Sequence, residues 1–143
     1  MNGADAVACA VIFVWLGMVL AISFLEAPIK FRAPEVTLRI GLGIGRLVFR
    51  ALNIAEAFFG AALVVALATG RPPGRVSVAA ALAMAALVVQ LVAIRPRLTK
   101  RSDAVLAGHD APRSHSHYAY IALEATKVAA LLVAGILLLA AFS

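Results

Sequence analysis

The sequence predicts an all-α integral membrane protein folded as a four-helix bundle, and three observations carry that prediction. Four long apolar runs are separated by shorter polar segments. The chain is 64% hydrophobic with a mean hydropathy of +1.00. Only 14% of its residues are charged, and nearly all of these fall between the runs. A soluble domain of 143 residues needs far more charge to cover its surface. The length leaves room for one domain, residues 1–143.

The first span is expected at about residues 6–25, a stretch without charge and roughly 30 Å long at the helical rise. A cleaved leader is the competing reading. The start, MNGADA, has no Lys or Arg, and the run exceeds the roughly 7 to 15 residues of a leader's apolar region, so a retained helix is expected. The second span, about 47–69, ends sharply at Gly70, Pro72, Pro73 and Gly74. The third, about 76–94, therefore returns antiparallel to it, with Ser77 and Gln90 as its only polar side chains. Pro96 is expected to end the third span, leaving residues 95–117 as a polar loop, and the fourth span follows at about 118–142.

Orientation follows from Lys and Arg. Residues 26–50 hold five, residues 95–117 hold five including Arg113, the hairpin turn holds Arg71 and Arg75, and both termini hold none. The positive-inside rule then places the two basic segments in the cytoplasm and both termini outside, in a bacterial-type cytoplasmic (inner) membrane. The net charge of +6 meets lipid headgroups in this arrangement, and no stacking aromatics interleave with the cations, so nucleic acid is not an expected partner. A lone Cys9 excludes an intramolecular disulfide and reads as a small buried hydrophobe.

Ionisable residues inside the spans carry the functional information, because each costs about 2.5 to 3.5 kcal/mol at a helix centre. In the second span Arg46, Arg50 and Asn53 recur at helical spacing, with Glu56 one step around the helix. In the fourth, His117, Tyr120, Glu124 and Lys127 form one stripe. Ser23, Glu26 and Lys30 close the first span, and Gln90 lies near the corresponding end of the third. All four spans thus bring polar groups to one side. A cavity open to the cytoplasm is expected, with Glu56, Glu124 and Lys127 on its floor near mid-bilayer. A purely structural alternative pairs Glu124 with Lys127, and Glu56 with Arg50 or Lys127, only to hold helices together.

Other signals are weaker. Gly41, Gly43 and Gly45 within RIGLGIGR either offer amides to an anion or permit close packing, and they lack P-loop or dinucleotide spacing. His109, His115 and His117 sit in a loop-like setting, so no metal site is expected. Met18 and Met84 are isolated, and Trp15 is too deep for an interfacial belt, so all three read as packing. Conventional catalytic constellations are absent.

The segment Trp15, Leu16, Gly17 and the pattern Ala27, Pro28, Phe31, in a chain of four-span length, resemble small bacterial membrane proteins related to the copper-resistance CopD domain. The resemblance covers about residues 10–60 and implies a compact four-helix bundle with polar groups inside. It also brings copper uptake, linked to CopD, and haem, held by a related protoporphyrinogen oxidase. That oxidase group has a histidine in its first span and this chain has none there, so no cofactor is expected and haem is not favoured.

The expected function is binding, and proton-coupled transport, of a small polar or anionic solute. Glu56 and Glu124 would carry protons, and Lys127, Arg46 and Arg50 would contact the solute. Homodimerisation through Gly60 or Gly135 is a corollary of the small size. The alternatives are an accessory or scaffold subunit of a membrane complex and a membrane enzyme acting on a lipid, quinone or tetrapyrrole.

Overall fold

The fold is described by a computed structural model, which covers residues 1–112 and 115–143; Arg113, counted above among the basic residues, lies outside that description. Among the described residues there is no strand, and four helices are long and apolar enough to cross a membrane. They are α1 (Gly3–Arg32), α2 (Leu38–Thr69), α3 (Gly74–Leu106) and α4 (His115–Ala141). Asn2 caps α1 by accepting a 2.8 Å bond from the Asp5 amide, and Thr37 caps α2 by accepting from Ile40 at 3.2 Å. Neighbouring helices run antiparallel: Asp5 lies against Gly70 at one end of the α1–α2 pair, and Lys30 lies against Gly45 at the other. α1 packs between α2 and α4, and α4 packs extensively on α3.

Each helix is longer than the apolar pattern predicts, and proline explains part of the difference. α3 continues to Leu106, correcting the expectation that Pro96 ends it and that 95–117 is a loop. Pro96 has no N–H, and in a regular helix its ring would meet the Val92 carbonyl. A π-helical turn over Gln90–Ile94 absorbs that conflict by widening the helix, so that the Arg95 amide reaches back to the Gln90 carbonyl. The same device carries α1 through Pro28: residues Leu20–Glu26 are π-helical, and the Ala27 amide bonds the Ile22 carbonyl. α1 stops instead after Arg32, where Ala33 takes the extended conformation that the following Pro34 demands (φ −67°, ψ 140°). α2 begins at Leu38 rather than near residue 47: Thr37 caps its first turn, and the helix runs through Gly41, Gly43 and Gly45, with Phe31 and Lys30 packed over the first and last of these.

The interior is built from one face of each helix. Ala8, Ile12, Trp15 and Val19 of α1 meet Leu63 of α2, Ala80 and Ala83 of α3, and Leu131, Ala134 and Leu138 of α4. Small residues bring the backbones close. Gly135 faces the Phe13 ring, which lies 2.6 Å from where a Cβ would stand, and Gly60 lies under Trp15. These two glycines therefore serve packing within the chain, whereas the sequence reading offered them to a partner. The outer surface is apolar instead of charged, with Phe58, Val78 and Val92 all more than 70% exposed.

Replacing Gly135 by Leu forces the Phe13 ring out of place, and is expected to destabilise the purified protein by about 1–3 kcal/mol in detergent unfolding experiments. Gly43→Ala, where a Cβ meets nothing within 4 Å, serves as the control and is expected to be neutral or stabilising by about 0.5–1 kcal/mol.

Candidate functional site

Near the midpoints of α2 and α4, the apolar interior gives way to a cluster of polar side chains. Lys127 of α4 is fully buried, and its ammonium has three protons to place. It gives them to three acceptors on three helices: Glu56 of α2, Glu124 one turn back on α4 (2.6 Å), and the Gln90 side-chain oxygen of α3 (2.9 Å). Helical spacing makes the Glu124 pair inevitable once Lys127 faces inward, whereas the other two contacts depend on how the helices meet.

The acceptors are themselves held. The Trp15 indole donates to Glu56 Oε2 at 2.9 Å, and the Ser23 hydroxyl donates to Glu124 Oε2 at 2.6 Å. The Gln90 amide donates to Glu124 Oε1 at 3.2 Å and to the Tyr120 carbonyl at 3.3 Å. Through Trp15 and Ser23 the fourth helix, α1, joins the centre. Both π-helical turns contribute a partner, since Ser23 lies in one and Gln90 begins the other.

Charge and hydrogen bonding are not fully balanced. With both carboxylates and the ammonium ionised, the centre carries a formal charge of −1. Glu56 Oε1 is also buried without a hydrogen-bond partner among the described residues. Glu56, Gln90, Glu124 and Lys127 are each at most 1% exposed, so the centre is occluded in this conformation rather than lying on the floor of an open vestibule. The two surface grooves at hand, one lined by Val7, Phe58 and Val65 and one by Phe24, Pro28 and Arg32, do not reach it.

Towards the basic end of the bundle lies a second layer. The Arg95 guanidinium donates to the Tyr120 hydroxyl at 2.9 Å and stacks over the rings of Tyr120 and Phe49. Lys30 approaches the same Phe49 ring and pairs with Glu26 at 3.6 Å. Phe49 and Tyr120 meet edge to face.

Of the residues singled out from sequence, the structure brings Glu56, Gln90, Tyr120, Glu124 and Lys127 together, with Glu26 and Lys30 in the adjoining layer. It separates the others. Arg50 is exposed, and Asn53 is half-buried with no side-chain bond to the cluster. Arg46 turns to Asp103 at 2.7 Å, a partner supplied by the unforeseen extension of α3. His117 is half-buried with its ring edge-on to Tyr118. Gly41, Gly43 and Gly45 lie inside α2 rather than before it; the Gly41 amide bonds Thr37, and the space above Gly41 and Gly45 is filled by Phe31 and Lys30. Among the described residues no group of three or more His, Cys, Asp or Glu side chains is placed to hold a metal.

Three members escaped the sequence reading. Trp15 appeared as packing, and only its contact with Glu56 reveals the use of its N–H. Arg95 falls in the stretch 95–117 that the sequence predicts as a loop. Phe49 is one of seven phenylalanines and carries no pattern of its own.

Lys127→Met leaves two buried carboxylates without their cation, and is expected to cost about 3–5 kcal/mol of stability or to prevent folding. Combining it with Glu56→Gln and Glu124→Gln removes the stranded charge and is expected to restore much of that loss, read by thermal unfolding of the purified variants. Comparison with known proteins adds no further guide, since the chain matches no protein-family model and no similarity to a curated protein or a solved structure is found.

Proposed function

We propose that this chain is a multi-pass protein of a bacterial-type cytoplasmic membrane, with both termini outside, that exchanges a proton at the Lys127 centre and binds and moves a small polar or anionic solute. The observation that carries this reading is the imbalance at the centre: two carboxylates and one ammonium in a buried interior, with Glu56 Oε1 left without a partner among the described residues. A buried net charge is costly, and one proton removes it. Ionisable groups at such depth mark proton and solute paths more often than architecture.

Membrane insertion is supported by the inverted distribution of side chains, charge within and large hydrophobics without, on helices of sufficient length. The orientation rests on the basic residues gathered at one end. Solute would enter from that end, past Lys30 and Arg95. Opening requires the centre to be uncovered, and the two π-helical turns are the local irregularities at which the helices can yield.

A second reading, an accessory or scaffold subunit, is favoured by one observation: all three Lys127 protons are matched, as they would be in a centre built only to lock helices together.

Reconstitution into liposomes with an internal pH dye separates the two readings. Proton-coupled exchange predicts proton movement by the wild type that Glu56→Gln, which balances the charge and retains the fold, reduces by about tenfold or more. Folded wild type without proton movement under a panel of small anions would leave the scaffold reading. Orientation has its own check. In a Cys9→Ser background, Ser143→Cys is expected to react with a membrane-impermeant maleimide in intact cells, and Lys100→Cys only after permeabilisation.

A further inference from the structure

The layer at the basic end holds two cations, Lys30 and Arg95, and one carboxylate, Glu26. Lys30 and Arg95 lie 5.7 and 5.2 Å from the centroid of the same Phe49 ring, so the two cations are at most about 11 Å apart. One carboxylate, Glu26, serves them, at 3.6 Å from Lys30, too far for a hydrogen bond, and its Oε2 is buried without one among the described residues. Among the described residues Arg95 has no carboxylate partner; its Nη2 donates to a neutral hydroxyl, and its Nε is buried without an acceptor. The contrast with Arg46, paired at 2.7 Å with Asp103, is plain.

Two like charges on one ring repel, and the buried Nε of the half-buried Arg95 loses solvation that no acceptor among the described residues returns. The aromatic faces of Phe49 and Tyr120 offset part of this cost through cation–π attraction. The ring contacts also hold the guanidinium plane fixed. Gly45 contributes by leaving room for the Lys30 ammonium, which lies 3.1 Å from where a Cβ would stand.

We infer that Lys30 and Arg95, set on Phe49 and Tyr120, form a binding site for a phosphate group. A tetrahedral phosphate presents two oxygens to the guanidinium edge and turns another towards an ammonium alongside. Within the layer two cations face the single carboxylate Glu26, so a phosphodiester or a phosphate monoanion would meet Arg95 where no carboxylate among the described residues does. The group comes either from a lipid headgroup or from a free phosphorylated solute, and the site does not depend on proton exchange at Lys127.

The test uses the purified full-length protein in neutral detergent, followed by thermal unfolding. Inorganic phosphate is titrated against chloride at matched ionic strength, and phosphatidylglycerol is added in mixed micelles against phosphatidylcholine. Saturable stabilisation by inorganic phosphate identifies a free solute. Stabilisation by phosphatidylglycerol alone identifies a lipid headgroup. In either case Arg95→Gln and Lys30→Gln are each expected to weaken binding by about tenfold, and Arg97→Gln, an exposed cation two residues from Arg95, by less than about twofold. Wild type that responds to neither probe overturns the inference without recourse to any variant, and so does an equal loss in Arg97→Gln.

Discussion

The buried ammonium of Lys127 is the constraint around which the bundle is arranged. An ammonium in an apolar interior is tolerable only if each of its protons has an acceptor and its charge is met nearby. The three acceptors come from α2, α3 and α4, and two of them are steadied by donors from α1. The relative rotation of all four helices is therefore fixed at one level. Above it, interlocking small and apolar side chains need only be compatible with that rotation, and alanine and glycine make them so by letting the backbones approach.

The prolines and the centre are connected through the backbone. A proline in a helix displaces the carbonyl one turn before it, and both α1 and α3 resolve this with a π-helical turn instead of a break. Such a turn changes the direction in which the following side chains project. It also places Ser23 and Gln90 at the level where Glu124 and Lys127 need partners. An irregularity demanded by local sterics thus falls where the polar groups converge. The helices remain long through it, so Arg95 stays on ordered backbone beside Tyr120.

Polarity in this molecule is layered along the bundle axis. One half is apolar apart from the buried Asp5 beside Gly70, the middle holds a compact charge centre, and the basic end carries cations resting on aromatic rings. The layers differ in how well they are satisfied. In the centre, the ammonium is fully matched while a carboxylate oxygen is left over; in the basic layer, one carboxylate stands against two cations, and Arg95 Nε and Glu26 Oε2 both lack a hydrogen bond among the described residues. These complementary imbalances, a site short of a proton and a site short of an anion, underlie the two functional proposals.

The sequence alone determined the helical class, the number of long helices and the face of α4 that carries Tyr120, Glu124 and Lys127, because apolar run length and a spacing of 3.6 are local properties that survive any packing. It also made Glu56 conspicuous, since a carboxylate amid apolar residues needs a reason wherever the helix lies. Only the tertiary structure decided which charges meet. Arg46 and Arg50 share a broad face with Glu56 in a helical projection, yet the helix presents Glu56 inward and leaves Arg50 exposed, while Asp103 of a neighbouring helix claims Arg46. Trp15, Ser23 and Gln90 lie on other helices, far from Glu56 and Glu124 along the chain, and no periodicity encodes that proximity. Pro96 looked like a terminus because a proline's local effect is to remove a hydrogen bond. That the helix absorbs the loss in a wider turn, and so delivers Arg95 to Tyr120 and Phe49, depends on contacts formed after the helices pack.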